Sequence, residues 1–233
     1  MDKYKVWEKE YRNPTFLTKE MEPQADTVRF FKFLKKEQKF SPMSNMGEAK
    51  RLIDLGCGTG RNSFYATELG LNVCGIDISK TAINEGITYA QEKNIRVELR
   101  VGSIGEKLAY SNETFDLALD VTSSNSLSEA EREIYFEEMY RVLKPGGYVY
   151  IKALCKDGDA NAKELLRRFP GSEADTYILP EQKIIERVWM KKDITDFYSR
   201  KFKILHLEMK ESYTTMGDRK YKRRFWIMYL QKS

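Results

Sequence analysis

Arg51-Leu52-Ile53-Asp54-Leu55-Gly56-Cys57-Gly58-Thr59-Gly60-Arg61-Asn62-Ser63 is the stretch that decides how the chain is read. An apolar run carrying an acid reads as a buried strand, three glycines spaced two apart as a tight turn, and the amphipathic run that follows as a helix. Glycine lets the backbone approach a ligand closely. The first turn of a helix offers unpaired N–H groups and a positive dipole end. Strand, loop and helix together predict a seat for a carboxylate or phosphate.

Outward from this stretch the pattern repeats as strand, helix, strand, helix, the mark of a parallel sheet covered on both faces. Strands are expected at 51–56, 72–78, 97–101, 115–121 and 148–154, with helices at 61–69 and 80–93. Ser128 and Glu131 form a capping-box pattern ahead of a further helix that Lys144-Pro145-Gly146-Gly147 stops. Asp77 closes the second strand, 21 residues after Gly56. In nucleotide-binding sheets a carboxylate there accepts the ribose hydroxyls.

The flanks are less periodic. Tyr4, Trp7 and Tyr11 recur at helical spacing, so three rings share one face of a short helix closed by Pro14. That face either packs on the main domain or lids a ligand. A second helix begins after Pro23, and Ser41–Glu48 reads as a loop. Residues 156–190 show no clean periodicity and are longer than a usual connection, which suggests a cap over the site. A helix near 193–200 leads to strands near 203–211 and 224–230 joined by a turn at Gly217-Asp218. That joint makes the last strand antiparallel to the others. One domain is expected over 1–233: a helical lid at 1–49, a ligand-binding core at 50–155, a cap at 156–190 and a C-terminal helix and hairpin at 191–233.

Composition restricts the function classes. No run of 18 apolar residues occurs and no apolar stretch follows Met1–Lys5, so a soluble cytoplasmic protein without a membrane partner is expected. Cys57, Cys74 and Cys155 lack C-x-x-C or metal-ligand spacing; they read as reduced structural thiols, and no metal is expected. Basic residues exceed acidic ones by three over 1–50 and by six over 156–233, whereas acidic ones lead by four over 51–155. A basic rim attracts anionic substrates or nucleic acid, but a net charge of +5 on a chain that is 32% charged also fits an ordinary solvated surface.

Spacing separates the nucleotide-binding classes. The dinucleotide fingerprint needs a third glycine where this chain has Arg61, and no Gly-Lys-Ser/Thr follows as a P-loop requires. Asp54, two positions before the first glycine, would repel a pyrophosphate but suits a ligand with an ammonium group. The segment Asp54-Leu-Gly-Cys-Gly-Thr-Gly60, with Asp77, Phe115-Asp116, the Leu143–Gly147 turn and the terminal antiparallel strand, resembles the class I S-adenosylmethionine-dependent methyltransferases. Gly60–Tyr65 and the early Trp7-Glu8 with Tyr11 are similar to the tellurite-resistance and thiopurine-type branch.

The resemblance implies an α/β, Rossmann-like seven-stranded sheet in the order 3-2-1-4-5-7-6, strand 7 antiparallel, with helices on both faces. It implies S-adenosylmethionine as cofactor, S-adenosylhomocysteine as product, and no metal. The methionine end would lie against Gly56, Cys57, Gly58 and Gly60, its ammonium near Asp54 and its carboxylate near the loop N–H groups, Arg61 or Asn62. Asp77 would bind the ribose, Ile78 would pack on adenine, and the Ile104 N–H would meet adenine N1. Ser103 stands where the family often has an aspartate that accepts the adenine amino group. Tyr4, Trp7 or Tyr11 would face the sulfonium through cation–π contact. Asp120, at the tip of strand 4, is the candidate general base; the single histidine, His206, reads as structural.

Strand 4 runs into Asp120-Val-Thr-Ser-Ser-Asn125 rather than the Asp/Asn-Pro-Pro-aromatic sequence of amino-methylating enzymes, and no Pro-Cys nucleophile occurs. A small-molecule acceptor is the reading adopted, with Asn125, Tyr213, Arg219 and Tyr221 as candidate substrate contacts. The alternative is an RNA or protein acceptor on the basic hairpin, and a third reading is a binding protein that transfers nothing. The chain is expected as a monomer or homodimer.

Overall fold

The computed structural model describes residues 3–15, 20–36, 48–216 and 219–233. Strand β1 (Arg51–Leu55) lies at the centre of the sheet because Leu52, Ile53 and Leu55 are buried on both of its faces. It pairs in parallel with β2 (Asn72–Asp77) and β4 (Phe115–Val121). Beyond these lie β3 (Glu98–Val101) and β5 (Leu143–Leu154), also parallel. Two short strands, β6 (Thr176–Ile178) and β7 (Ile185–Arg187), form a separate antiparallel ribbon. The sheet ends in the antiparallel pair β8 (Phe202–Met216) and β9 (Arg219–Lys232), giving the order β3-β2-β1-β4-β5-β9-β8. With the ribbon strands set aside, this is the expected order 3-2-1-4-5-7-6. β9 runs antiparallel to β5, from Tyr148↔Gln231 to Leu154↔Phe225.

Helices cover both faces. α1 (Lys3–Arg12), α2 (Ala25–Lys36), α3 (Arg61–Glu68) and α4 (Lys80–Glu92) come from the N-terminal half. α5 (Glu129–Val142), α6 (Ala160–Arg168) and α7 (Lys191–Ser199) come from the C-terminal half. Phe136 and Met139 of α5 and Ile194 of α7 pack with Ile53 and Ile151 on one face; Phe30 and Leu34 of α2 pack with Leu52, Leu119 and Tyr150 on the other. The Ser128–Glu131 capping box of α5 is present in full.

Two expectations are adjusted. Lys144–Gly147 does not precede β5 but interrupts it as a bulge: Phe115 faces Leu143, then Leu117 faces Tyr148. Gly146 supplies the positive φ of +76°, and Lys144 Nζ reaches Asp116 at 3.0 Å. Asp116 also accepts the Arg51 N–H at 2.9 Å, so this acid aligns the lower ends of β1, β4 and β5. Second, residues 156–190 contain α6 and the β6–β7 ribbon. Asp159 caps α6 by accepting the Ala162 N–H at 2.8 Å. The described part of α2 reaches Lys36, and the expected continuation toward Lys39 lies outside the described residues. The loop expected over 41–48 and the turn at Gly217-Asp218 fall almost wholly outside the described residues.

α2 is held by aromatic packing. Phe30 is fully buried, stacked on Tyr150 at 5.5 Å and tilted against Tyr229 at 5.1 Å. Removing its ring leaves a cavity between helix and sheet, so Phe30→Ala should lower the unfolding free energy by about 3–5 kcal/mol in urea denaturation.

Candidate functional site

Gly56, Gly58 and Gly60 all adopt positive φ, at +76°, +58° and +95°. A Cβ on Gly56 would fall 2.2 Å from Ser123 Oγ, and one on Gly58 would fall 2.5 Å from the Tyr11 hydroxyl. The loop is thus squeezed between the strand β4 exit and α1, and only glycine fits. Gly60 is the N-cap of α3 and brings no side chain to its first turn, which stays open to an anion.

The acid at the end of β2 sets the loop. Asp77 accepts the Gly58 N–H at 2.8 Å through Oδ2 and the Ser79 N–H at 2.9 Å through Oδ1. Burial pushes its carboxyl up to about 6, against the pull of the Ser79, Gly58 and Ile78 N–H groups. It is 7% exposed, and its remaining surface faces a cavity of about 1120 Å³, a volume that includes the space open to solvent. The cavity floor is the glycine loop with Arg61 and Asn62; its far end is Ile78 and Gly102–Ile104, and its near wall is Val121–Ser123.

Asp54 lies under this floor and does not line the cavity. Its Oδ2 accepts the Ser63 hydroxyl at 2.7 Å, and burial raises its carboxyl to about 7. Ser103 does line the cavity, but its oxygen already accepts the Gly105 N–H and the Lys3 ammonium, both at 3.2 Å. Both lone pairs are spent within the chain.

α1 forms the roof. Its cavity face is Lys3, Trp7 and Tyr11, spaced four apart. Tyr4, expected on that face, lies outside it, 41% exposed, and donates to Glu106 at 2.7 Å. Glu8 docks the helix on the N-terminus of α4: it accepts from the Ser79 hydroxyl at 2.8 Å, the Thr81 N–H at 3.1 Å and the Thr81 hydroxyl at 2.6 Å. Although burial opposes it, these bonds hold the Glu8 carboxyl at about 2. At the other end Lys3 pairs with Glu131 of the capping box. The sequence reading grouped the aromatic residues, gave Glu8 no partner and passed over Lys3 and Gln24, because the partners of all three are distant in the chain.

The candidate acceptor residues are dispersed. Asp120 is fully buried and lies outside the cavity lining; it accepts the Ser123 and Ser124 N–H groups at 2.9 and 3.3 Å and the Tyr135 hydroxyl at 2.7 Å. Burial raises its carboxyl. Asn125 is buried and accepts the Leu154 N–H at 3.3 Å. Tyr213, 71% exposed, faces Lys222 across the hairpin, and Tyr221 faces Thr214; Arg219 starts β9 opposite Met216. Asn125, Tyr213 and Tyr221 do not line the cavity. The same holds for every residue of 156–190, which instead pack on β9: Arg223 reaches the Tyr177 hydroxyl at 2.6 Å, and the Trp226 indole donates to Trp189 O at 2.9 Å. His206 stacks on Tyr229 at 4.8 Å within the hairpin.

A sheet of this order, with a glycine turn at the exit of β1 and a buried acid ending β2, is the fold of the class I S-adenosylmethionine-dependent methyltransferases. Residues 52–147 match the family described as "Methyltransferase domain", and that segment belongs to it. Among curated proteins the chain is similar to phosphoethanolamine N-methyltransferase 3 of Arabidopsis thaliana, 30% identical over 124 residues, 53% of this chain and 25% of that protein. It is also similar to the ubiquinone biosynthesis O-methyltransferase of Rhizobium etli, 28% identical over 115 residues, 49% of this chain and 45% of that protein. The chain therefore spans less than half the length of either relative. Among solved structures, a SAM-dependent methyltransferase of Methanosarcina mazei superposes with a TM-score of 0.72 at 24% identity, over 85% of this chain and 96% of that one. This last is a likeness of fold. S-adenosylmethionine is the cofactor of the class, and among the described residues no cluster suits a metal ion.

The depressed Glu8 carboxyl gives the α1 contact a pH signature. A group whose pKa falls on docking contributes fully above its free value, 4.5, and loses that contribution as pH drops toward about 2. Hydrogen-exchange protection of residues 3–12, corrected for the intrinsic rate, should fall across this window in the wild type. In Glu8→Gln it should be lower throughout and fall less with pH, the remaining fall coming from Glu131, which pairs with Lys3.

Proposed function

We propose that the protein is an S-adenosylmethionine-dependent methyltransferase acting on a small-molecule acceptor. The observation that carries this reading is Asp77, a buried carboxylate that fixes the Gly58 and Ser79 N–H groups and also lines a cavity roofed by Trp7 and Tyr11. A carboxylate oxygen accepts more than one hydrogen bond, and the ribose diol of the cofactor would fill the acceptor capacity that faces the cavity. Ile78 and Ile104 would flank the adenine. The bare first turn of α3, with Arg61 and Asn62, would meet the carboxylate of the methionine end. Since Asp54 lies beneath the loop, it would act on the ammonium through its field and through Ser63 rather than by contact.

Bound S-adenosylmethionine supplies a methyl group activated by its sulfonium for in-line displacement. The chain's part is alignment and exclusion of water. α1 closes the roof, the Trp7 and Tyr11 rings offer π faces, and Asp120 holds Val121–Leu127 as a fixed wall. In this reading Asp120 is a positioning residue, because its acceptors are engaged by Ser123, Ser124 and Tyr135.

The names of both curated relatives point to small-molecule acceptors. The RNA or protein alternative rests on the β8–β9 hairpin, where Lys222 and Arg224 are already paired with Glu211 at 2.7 and 2.8 Å and Arg223 is buried. Among the described side chains of the hairpin, these three cations are thus already paired or buried. The resemblance to the tellurite-resistance branch rests on Gly60–Tyr65, on the N-terminal helix, and on a likeness of fold to TehB from Haemophilus influenzae.

S-adenosylhomocysteine should raise the melting temperature, and Asp77→Ala should remove most of that rise. An unchanged shift in the variant would overturn the ribose assignment. Because the ionised form of Asp77 is the one that accepts hydroxyl protons, calorimetric affinity should decline below about pH 6 by up to about tenfold per pH unit. Adenosylhomocysteine release across a panel of small nucleophiles tests transfer itself.

A further inference from the structure

Behind one wall of the cavity sits a buried excess of positive charge. Lys152 of β5 is next to Val121 of β4 in the sheet, and Val121 lines the cavity. The Lys152 side chain is 12% exposed and its ammonium lies 4.7 Å from the Phe225 ring centroid. It shares a single carboxylate, Asp26, with Lys210: Lys152 approaches Asp26 Oδ2 at 3.0 Å while Lys210 takes Oδ1. Arg29 pairs with Glu208 at 2.9 Å and also lies 3.8 Å from Asp26, so three cations face two carboxylates. One positive charge is left without a carboxylate of its own, and of the two lysines Lys152 is the more buried, which makes a counter-ion beside it favourable. Burial and the nearby Lys210 and Arg61 all favour loss of the Lys152 proton, opposed by Asp26.

Between this excess and the cavity stands Gln24. It lines the cavity, its N–H donates to Asn62 Oδ1 at 3.0 Å, and its Oε1 accepts from Lys152 at 3.4 Å. With Oε1 turned to Lys152, the amide NH2 is the end left to point away from it. Across the same wall Arg61, three-quarters buried, has Glu20 as its nearest acid, at 4.0 Å and 70% exposed. Since Arg61 serves the cofactor's carboxylate in the proposed function, the wall beside Val121 is left with the Gln24 amide and the Lys152 charge behind it, a donor and a cation that together suit a compact anion.

We propose that this wall binds an anionic oxygen group, carboxylate or phosphate, carried by the methyl acceptor, with Gln24 as the contact and Lys152 as the buried charge behind it. The proposal rests on the methyltransferase reading and adds the charge class of the acceptor. The anion sits beside Val121 and Thr122, apart from the seat of the cofactor's own carboxylate at the glycine loop.

The test titrates inorganic phosphate and, separately, acetate into the protein saturated with S-adenosylhomocysteine, and follows heat and melting temperature. Saturable binding in the millimolar range is expected. Gln24→Glu, which puts a like charge at the contact while keeping a partner for Lys152, should weaken it at least tenfold. Lys152→Met should do the same, and Lys222→Met, on the distant hairpin, should leave it unchanged. S-adenosylhomocysteine affinity should stay within about twofold in all three. Phosphate response limited to one of the two anions would assign the group; response to neither would overturn the proposal. So would equal binding by Gln24→Glu, or competition between anion and S-adenosylhomocysteine, which would place the anion in the cofactor's seat. Failure of S-adenosylhomocysteine to bind would instead overturn the cofactor reading, and the anion titration of the ligand-free protein would then decide this proposal alone.

Discussion

The Asp77 carboxylate holds the site together. From the end of β2 it fixes Gly58 with one oxygen and the start of α4 with the other. The α4 terminus is in turn where Glu8 seats α1. Floor, base and roof of the cavity thus meet at one buried acid and the helix it starts. Placing two carboxylates, Asp77 and Glu8, around the first turn of α4 uses the orphan N–H groups that a helix leaves there. The protein carries the electrostatic strain of a buried acid, visible in the raised Asp77 carboxyl, in exchange for a loop with one conformation.

The sheet was largely legible in the sequence because its signals are local. Leu52–Leu55 and Phe115–Val121 are apolar runs of strand length, the Ser128–Glu131 box starts α5, and Gly56–Gly60 can only be a turn. The antiparallel last strand followed from the shortness of the hairpin. Strand order came from the resemblance, since alternation alone does not order a parallel sheet. What escaped was α6 and the ribbon, whose cap at Asp159 and apolar spacing at Ala162, Leu165 and Leu166 were masked by the surrounding charge, and the bulge inside β5, where Pro145 and Gly146 read as an end.

The site divides in the same way. Residues on the loop itself, and Asp77, Ile78, Ser103 and Ile104, meet in the cavity because strand ends in a parallel sheet converge there. Chemistry assigned from position alone fared differently. Asp54, Asp120 and Asn125 lie at the right strand ends but spend their acceptors on Ser63, on the 121–127 loop and on Leu154. Sequence position gives a residue's level in the sheet, while the partner that captures its side chain depends on contacts far along the chain. Lys3 with Ser103 and Lys152 with Asp26 are separated by 100 and 126 positions. No local pattern reports such pairs.

The roof also constrains the order of events. α1 lies over the glycine loop, where a Cβ on Gly58 would meet Tyr11, and its anchors reach Ser103, Glu131 and the start of α4. Under the methyltransferase reading a molecule on the glycine loop lies beneath this helix while one at Gln24 and Thr122 lies at the side wall, so an ordered cycle is expected in which the donor enters first and its spent form departs last.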